Sequence, residues 1–169
     1  MDRPGGQQGE GRYLTAPPLA LYCYDGSPDA RKALDGAVAL LGTHEAVVMC
    51  IFESILAMPA GGDFPYPDMM PGADVSEADQ AARTRADELA EEGCTILRAA
   101  GVKATAAAVE GPGAVWRTIL AEADARDVSV IVLGSRGITG MRSLVLGSVS
   151  HGVANHSHRP VLIMPTVPA

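Results

Sequence analysis

Positive charge, cysteine and long apolar runs are all scarce in this chain of 169 residues. Its 13 lysine and arginine residues are outnumbered by 20 aspartate and glutamate residues, which gives a formal net charge of −7. This balance argues against a general nucleic-acid or anionic-membrane binder, because such proteins present a basic face. A local anion site is still compatible with it, because backbone N–H groups and one or two arginines are enough to build one.

The three cysteines, Cys23, Cys50 and Cys94, form an odd and sparse set. Such a set fits a reducing compartment better than a disulfide framework. No apolar run approaches the roughly 18 residues that span a bilayer. Residues 1–18 are polar and rich in glycine and proline, which predicts a disordered tail rather than a signal peptide. Together these observations predict a soluble, cytoplasmic protein.

From Leu19 onward, short apolar runs alternate with segments of helical periodicity. Continuous apolar runs of this length are typical of strands buried on both faces of a parallel sheet. The predicted strands are 19–24, 46–52, 102–109, 128–133 and 161–164, and the predicted helices are 28–41, 76–100, 115–123 and 148–156. This order predicts one α/β domain, 19–165, with helices on both faces of a five-stranded parallel sheet.

One predicted connection is unusually long. Ser54–Asp74 is rich in proline, glycine and methionine, whereas βα connections usually have roughly 2–6 residues. A flexible methionine-rich surface can re-pack against different partners, so this segment is either a protein-binding surface or a disordered insertion. The sequence leaves both interpretations open.

Glycine is concentrated after the fourth predicted strand, at Gly134, Gly137, Gly140 and Gly147. Ligands of open α/β sheets lie beyond the carboxyl ends of the strands, which is where this segment falls. It leads into a predicted helix, whose N-terminus offers unpaired N–H groups and a partial positive charge to a phosphate. Because glycine lets the backbone approach a ligand closely, the segment predicts a phosphate site.

Polar side chains complete this predicted site. Ser148 and Ser150, on either side of Val149, are expected to add hydroxyl donors, and Arg136 and Arg142 could reach a phosphate chain. The spacing is neither a Walker A motif, which requires a lysine, nor the GxGxxG dinucleotide fingerprint. An alternative remains, in which the glycines are turn residues and Ser148 caps a helix.

The ends of the other central strands provide the opposite wall of the predicted site. Asp25 has the wrong charge for a direct phosphate contact, so we expect it to accept ribose hydroxyls or to partner a phosphate-bound metal ion such as Mg²⁺. The backbone of Ile51 is available to hydrogen-bond adenine. Tyr24 and Leu133 belong to the predicted set because they stand at the same strand ends.

The spacing Gly134-x2-Gly137-x9-Gly147-Ser148 resembles the G-2x-G-9x-G-[S/T] signature of the ATP-binding branch of the universal stress protein family. Tyr24–Val38 is similar to the family's opening strand and D-x-S turn, and the stretch LGSVSHGVANHSHRPVLIMP to its closing segment. The resemblance implies a Rossmann-like, adenine nucleotide alpha hydrolase-like three-layer fold with strand order 3-2-1-4-5. It also implies ATP as the ligand and a homodimer formed through the fifth strands, here 161–164.

The same resemblance assigns roles to individual residues. It places Asp25 near the ribose and phosphates and Ile51 against adenine. It places the remaining ribose and phosphate contacts at Gly134, Gly137, Gly147, Ser148, Val149 and Ser150.

We expect an ATP-binding regulatory module that acts in stress tolerance, without catalytic residues, because no convincing general base accompanies Asp25. One alternative is a weak ATP hydrolase, and another is an interaction protein that binds no ATP or binds a cyclic nucleotide. His151 and His156 are five positions apart, which places them on different faces of a helix, so no metal site is predicted.

Overall fold

A computed structural model of the protein describes residues 19–42, 44–54, 75–135 and 146–165. Strands and helices alternate along this part of the chain, which confirms the predicted α/β order. The elements are β1 (Leu19–Cys23), α1 (Pro28–Leu41), β2 (Glu45–Phe52), α2 (Val75–Ala99), β3 (Lys103–Glu110), α3 (Val115–Ala125), β4 (Val130–Gly134), α4 (Ser148–His156) and β5 (Val161–Met164). Residues 1–18 and most of the long Ser54–Asp74 segment lie outside the described residues.

The five strands form one sheet in the order β3-β2-β1-β4-β5, and every pair is parallel. This confirms the strand order that the family resemblance implied. β1 pairs with β2 on one side and with β4 on the other, so the chain changes direction across the sheet at β1. In a sheet of this kind, the crevice for a ligand opens beyond the carboxyl ends of these central strands.

The side chains of β1 alternate between two hydrophobic cores. Tyr22 packs on the face covered by α1 and α2, together with Leu34 and Leu97. Leu21 packs on the other face, in a cluster that includes Ile119 of α3 and Val153 of α4. Because both faces of β1 are covered, its interior residues are fully buried, which explains the continuous apolar run in the sequence.

The start of α1 forms as its sequence predicts. The Ser27 hydroxyl accepts a hydrogen bond from the Ala30 N–H (3.1 Å), and Pro28 occupies the first turn, where its missing N–H is not needed. Gly42 ends the helix with a φ of 65°, a conformation that glycine adopts without steric cost. These local signals fix the direction in which α1 leaves the carboxyl end of β1.

Two predicted strands begin one or two residues too early, and both for the same reason. Val102 donates its N–H to the Leu97 carbonyl (3.0 Å), and Val128 donates to the Ala123 carbonyl (3.1 Å). Each valine therefore closes a Schellman motif at the end of the preceding helix, with Gly101 or Asp127 in the left-handed region before it. Both valines are buried, so their apolar character alone did not distinguish a helix end from a strand start.

Within the described ranges, none of the helices has the combination of length and apolar character that crossing a bilayer requires.

Candidate functional site

A cavity of about 300 Å³ opens at the carboxyl ends of the central strands. Its walls come from the ends of β1, β2 and β4, from the first turns of α1 and α3, and from the start of α4. The lining residues are Cys23, Tyr24, Asp25, Ala30, Met49, Ile51, Val115, Ile119, Leu133, Gly134, Gly147, Ser148, Val149 and Ser150. The cavity therefore lies at the switch point of the sheet, where the sequence analysis places a ligand.

Nine of the eleven predicted site residues line this cavity. They are Tyr24, Asp25, Ile51, Leu133, Gly134, Gly147, Ser148, Val149 and Ser150. The other two, Arg136 and Gly137, lie outside the described residues, as do Gly140 and Arg142.

Sequence reasoning missed five further residues of the lining: Cys23, Ala30, Met49, Val115 and Ile119. Ile119 and Val115 are four positions apart on one face of α3, a spacing that sequence reading attributed to core packing alone. All five are apolar or weakly polar, and together with Ile51 and Leu133 they make the floor of the cavity apolar. Such a floor suits the faces of a flat heterocycle, since pockets for small molecules are mostly apolar with few polar groups.

The first turn of α4 presents backbone N–H groups at the cavity. The first helical hydrogen bond runs from the His151 N–H to the Gly147 carbonyl (2.9 Å), so the N–H groups of residues 148–150 have no acceptor inside the helix. Gly147 precedes this turn with φ −58° and ψ 156°. Because any residue can adopt these angles, the missing side chain, not special backbone geometry, distinguishes glycine here.

The two serines of this turn have different surroundings. Ser148 is exposed, whereas Ser150 is buried and its hydroxyl donates to the Gly134 carbonyl at the end of β4 (2.8 Å). A serine hydroxyl has one proton to donate. The Ser150 hydroxyl, predicted as a donor to a phosphate, is therefore already engaged, and its N–H group is what it offers to the cavity.

Asp25 stands on the opposite rim, where it is the only charged side chain among the described residues that line the cavity. Its Oδ1 accepts the N–H of Ser27 (3.0 Å), which orients the half-buried carboxylate over the start of α1. One carboxylate oxygen is thus used by the turn. Tyr24, just before it, is held by a hydrogen bond from its hydroxyl to Glu92 of α2 (2.8 Å).

The backbone of Ile51 reaches past the end of β1. The last residues paired between β1 and β2 are Cys23 and Met49, and the Tyr24 N–H donates to the Met49 carbonyl (2.9 Å). Alternate residues of a parallel strand direct their N–H and C=O groups to the same neighbour. Ile51, two residues after Met49, therefore directs its backbone groups to the β1 side, beyond the last pair and along the cavity.

The cysteines near the cavity are not activated. Burial raises the pKa of the Cys23 thiol far above its ordinary value, and the nearby Asp25 carboxylate adds to the shift. Burial, again with a contribution from Asp25, raises the pKa of Cys50 to about 11. Both thiols are protonated at neutral pH, and a nucleophilic cysteine would need the opposite environment.

The histidines of α4 contact neighbouring side chains of α3 and α4. His156 stacks on Trp116 of α3, with 4.4 Å between the ring centroids, and His151 bonds to Asn155 on the same helix. In the part of the chain that the structure describes, no three His, Cys, Asp or Glu side chains converge on a possible metal position.

Comparisons with known proteins agree with this architecture. The sequence model of the universal stress protein family matches residues 20–165. Universal stress protein YxiE of Bacillus subtilis (strain 168) is 34% identical over 149 residues, which cover 85% of this chain and 96% of that protein.

Two solved structures share the fold. The protein MJ0577 superimposes with a TM-score of 0.71 at 22% identity, covering 92% of this chain and all of that one. Universal stress protein UspA of Lactobacillus plantarum has a TM-score of 0.68 at 18% identity, covering 89% of this chain and 99% of that one. The sequence match over nearly the whole domain, together with the strand order, establishes that the chain belongs to the universal stress protein family.

Proposed function

We propose that this protein binds an adenine nucleotide, specifically ATP, and acts as a nucleotide-dependent regulatory module in stress tolerance. The observation that carries the proposal is the juxtaposition in one cavity of three helix N-terminal N–H groups, the bare backbone of Gly147 and the carboxylate of Asp25. Anions are stabilised at a helix N-terminus, and a carboxylate across from it suits a sugar hydroxyl.

In the proposed complex, each part of the nucleotide contacts cavity residues of complementary chemistry. The base lies on the apolar floor, with the Ile51 backbone along its edge. The ribose hydroxyls donate to the second carboxylate oxygen of Asp25, and the phosphates accept from the first turn of α4 and from the exposed Ser148 hydroxyl.

Structural neighbours support the ligand class. A universal stress protein solved with cAMP has a TM-score of 0.58, and one from Arabidopsis thaliana with bound AMP has a TM-score of 0.53. A third, from Archaeoglobus fulgidus, is in complex with dAMP and has a TM-score of 0.50. Their common ligand chemistry is an adenine nucleotide, and ATP is our more specific inference for this chain.

A magnesium ion fits the donor groups of this site. Mg²⁺ prefers hard oxygen ligands and is usually held by one or two carboxylates plus substrate phosphates. The Asp25 carboxylate, as the alternative to its contact with the ribose, and the Ser148 hydroxyl are oxygen donors of this kind, both on the rim of the cavity. When bound, the ion would supply neutralising charge to the phosphates.

Isothermal titration with ATP tests the proposal, with GTP, AMP and cAMP measured in parallel and each titration repeated without Mg²⁺. We expect saturable 1:1 binding of ATP and no binding of GTP. Because a ligand at 100 times its Kd stabilises the folded state by about 2.7 kcal/mol, ATP should also raise the melting temperature. No heat and no thermal shift with millimolar ATP would refute the assignment.

Asp25→Asn is the sharpest variant for the ribose wall. Asparagine keeps an oxygen to accept the Ser27 N–H, so the turn is preserved while the charge is lost. We expect ATP affinity to fall roughly tenfold, since this corresponds to about 1.4 kcal/mol, the scale of one charged hydrogen bond. Asp35→Asn, which makes the same charge change on the exposed face of α1, is the matched control and should bind ATP normally. Equal ATP affinity of the two variants would show that the Asp25 carboxylate does not contribute to nucleotide binding.

We also propose that the protein is a homodimer formed through β5. Among the described residues, β5 is an edge strand that pairs only with β4, and all four of its residues are partly exposed. An unpaired apolar edge strand is a template for a second chain. Light scattering on the purified protein should therefore report twice the 17.5 kDa mass of one chain, and a monomer at micromolar concentration would contradict the proposal.

A further inference from the structure

Two hydrogen bonds attach the first turn of α4 to the end of β4. The Ser150 hydroxyl donates to the Gly134 carbonyl (2.8 Å), and the Gly147 N–H donates to the Ser135 carbonyl (2.9 Å). The two bonds lie at opposite ends of the turn whose N–H groups have no acceptor inside the helix. The turn is therefore held at both ends by the strand that forms the neighbouring wall of the cavity.

The strand side of this attachment is hydrogen-bonded to β5. Gly134 is opposite Met164 in the β4–β5 pairing, and the Ser135 N–H donates to the Met164 carbonyl (2.9 Å). The two acceptors for the α4 turn thus belong to, or directly follow, a strand that is paired with β5 up to Gly134 and with β1 up to Val132. A turn tied to such a strand has less freedom than an ordinary helix end, which tends to fray.

Burial separates the role of Ser150 from that of Ser148. Ser150 is 4% exposed, and its only hydroxyl proton is engaged with Gly134. It cannot donate to a ligand without giving up its bond to the partly buried Gly134 carbonyl, which is costly. Ser148, two residues earlier, is exposed at the rim of the same cavity.

We propose that Ser150 is a positioning residue, which orients the N–H groups of the α4 first turn toward the anion position before any ligand arrives. The inference rests on the proposed function, because the anion in question is the phosphate chain of the nucleotide. Ordering a mobile segment on binding costs free energy, and a segment that is already ordered avoids this cost. The Ser150 hydroxyl thus contributes to affinity without touching the ligand.

The test compares Ser150→Ala with Ser150→Thr, which retains the hydroxyl, and with Ser148→Ala. Amide hydrogen exchange is measured on the nucleotide-free protein, and ATP affinity is measured by titration well below the melting temperature. We expect Ser150→Ala to speed exchange of the two hydrogen-bonded amides of this turn, Gly147 and His151, and to weaken ATP binding about tenfold. Ser150→Thr should restore both, and Ser148→Ala should leave exchange in the nucleotide-free protein unchanged.

Two outcomes would overturn the positioning role. Weaker binding with unchanged exchange would make Ser150 a direct donor to the ligand, and faster exchange with unchanged affinity would make its role purely structural. If Ser150→Ala does not fold, Ser150→Cys, whose thiol is a weak donor of similar size, should show the same changes with smaller amplitude. Absence of ATP binding by the unsubstituted protein would instead refute the proposed function, and the positioning role would fall with it.

Discussion

Gly147→Val should raise the Kd for ATP at least a hundredfold while leaving the protein folded. Gly147 lines the cavity immediately before the three N–H groups that the phosphates would contact. A branched side chain at this position occupies the space that a phosphate needs. It keeps the phosphate oxygens out of hydrogen-bonding distance of these N–H groups. A hundredfold loss corresponds to about 2.8 kcal/mol, which is comparable to losing two charge-assisted hydrogen bonds.

The fold should tolerate this substitution because Gly147 has φ −58° and ψ 156°, angles that valine adopts readily. The expected cost is that of a poor helix cap, about 1 kcal/mol. Leu146→Val is the matched control, since it places the same side chain one residue earlier on an exposed position outside the cavity lining. Circular dichroism checks the fold and titration measures the affinity. Normal ATP binding by Gly147→Val would mean that the phosphates lie elsewhere.

Gly152→Val should destabilise the protein by about 3 kcal/mol, the upper end of what overpacking usually costs. A Cβ atom at Gly152 would lie 2.5 Å from Cγ and 2.6 Å from Cδ1 of Trp116. The indole cannot move aside easily, because His156 stacks on it and the Arg117 guanidinium lies 5.1 Å from its ring centroid. α3 and α4 would have to separate, and both helices contribute residues to the cavity.

Urea unfolding, followed by circular dichroism, measures this effect. Ala154→Val is the control for the helix propensity of valine, since Ala154 is exposed on the same helix, and it should cost only about 0.6 kcal/mol. In contrast, a Cβ atom at Gly36 would lie 2.4 Å from the terminal methyl of Met164. Because a flexible methionine side chain can turn away, the clash in Gly36→Ala is easier to relieve. Trp116→Ala should partly rescue Gly152→Val in a double-mutant cycle. A variant as stable as Ala154→Val would show that the helices do not pack as described.

The strands and the cavity position could be predicted from the sequence because their signals are local. A run such as Leu19–Cys23 is buried on both faces, so every residue is apolar, and the Asp-Gly-Ser-Pro turn after it marks a helix start. The glycine and serine spacing after β4 likewise indicates a phosphate site without reference to any distant residue.

Other features depend on contacts between residues that are far apart in the sequence. The floor of the cavity includes Val115 and Ile119, and nothing local distinguishes them from ordinary core positions of an amphipathic helix. From the sequence, Gly152 is a helix-weakening residue within a short helix. The close approach of Trp116 explains why glycine stands at this position. From the sequence, the Ser150 hydroxyl is a donor to a phosphate. In the structure it donates to the Gly134 carbonyl instead.

The chain by itself determined which segments form strands and helices, where α1 and α4 start, and at which end of the sheet the cavity opens, because periodicity, caps and turns act over a few residues. Only the tertiary structure decided which side chains meet across the cavity and which polar groups are already engaged. Hydrogen bonds and steric contacts depend on ångström-scale distances between residues far apart in sequence, and no local pattern specifies those distances.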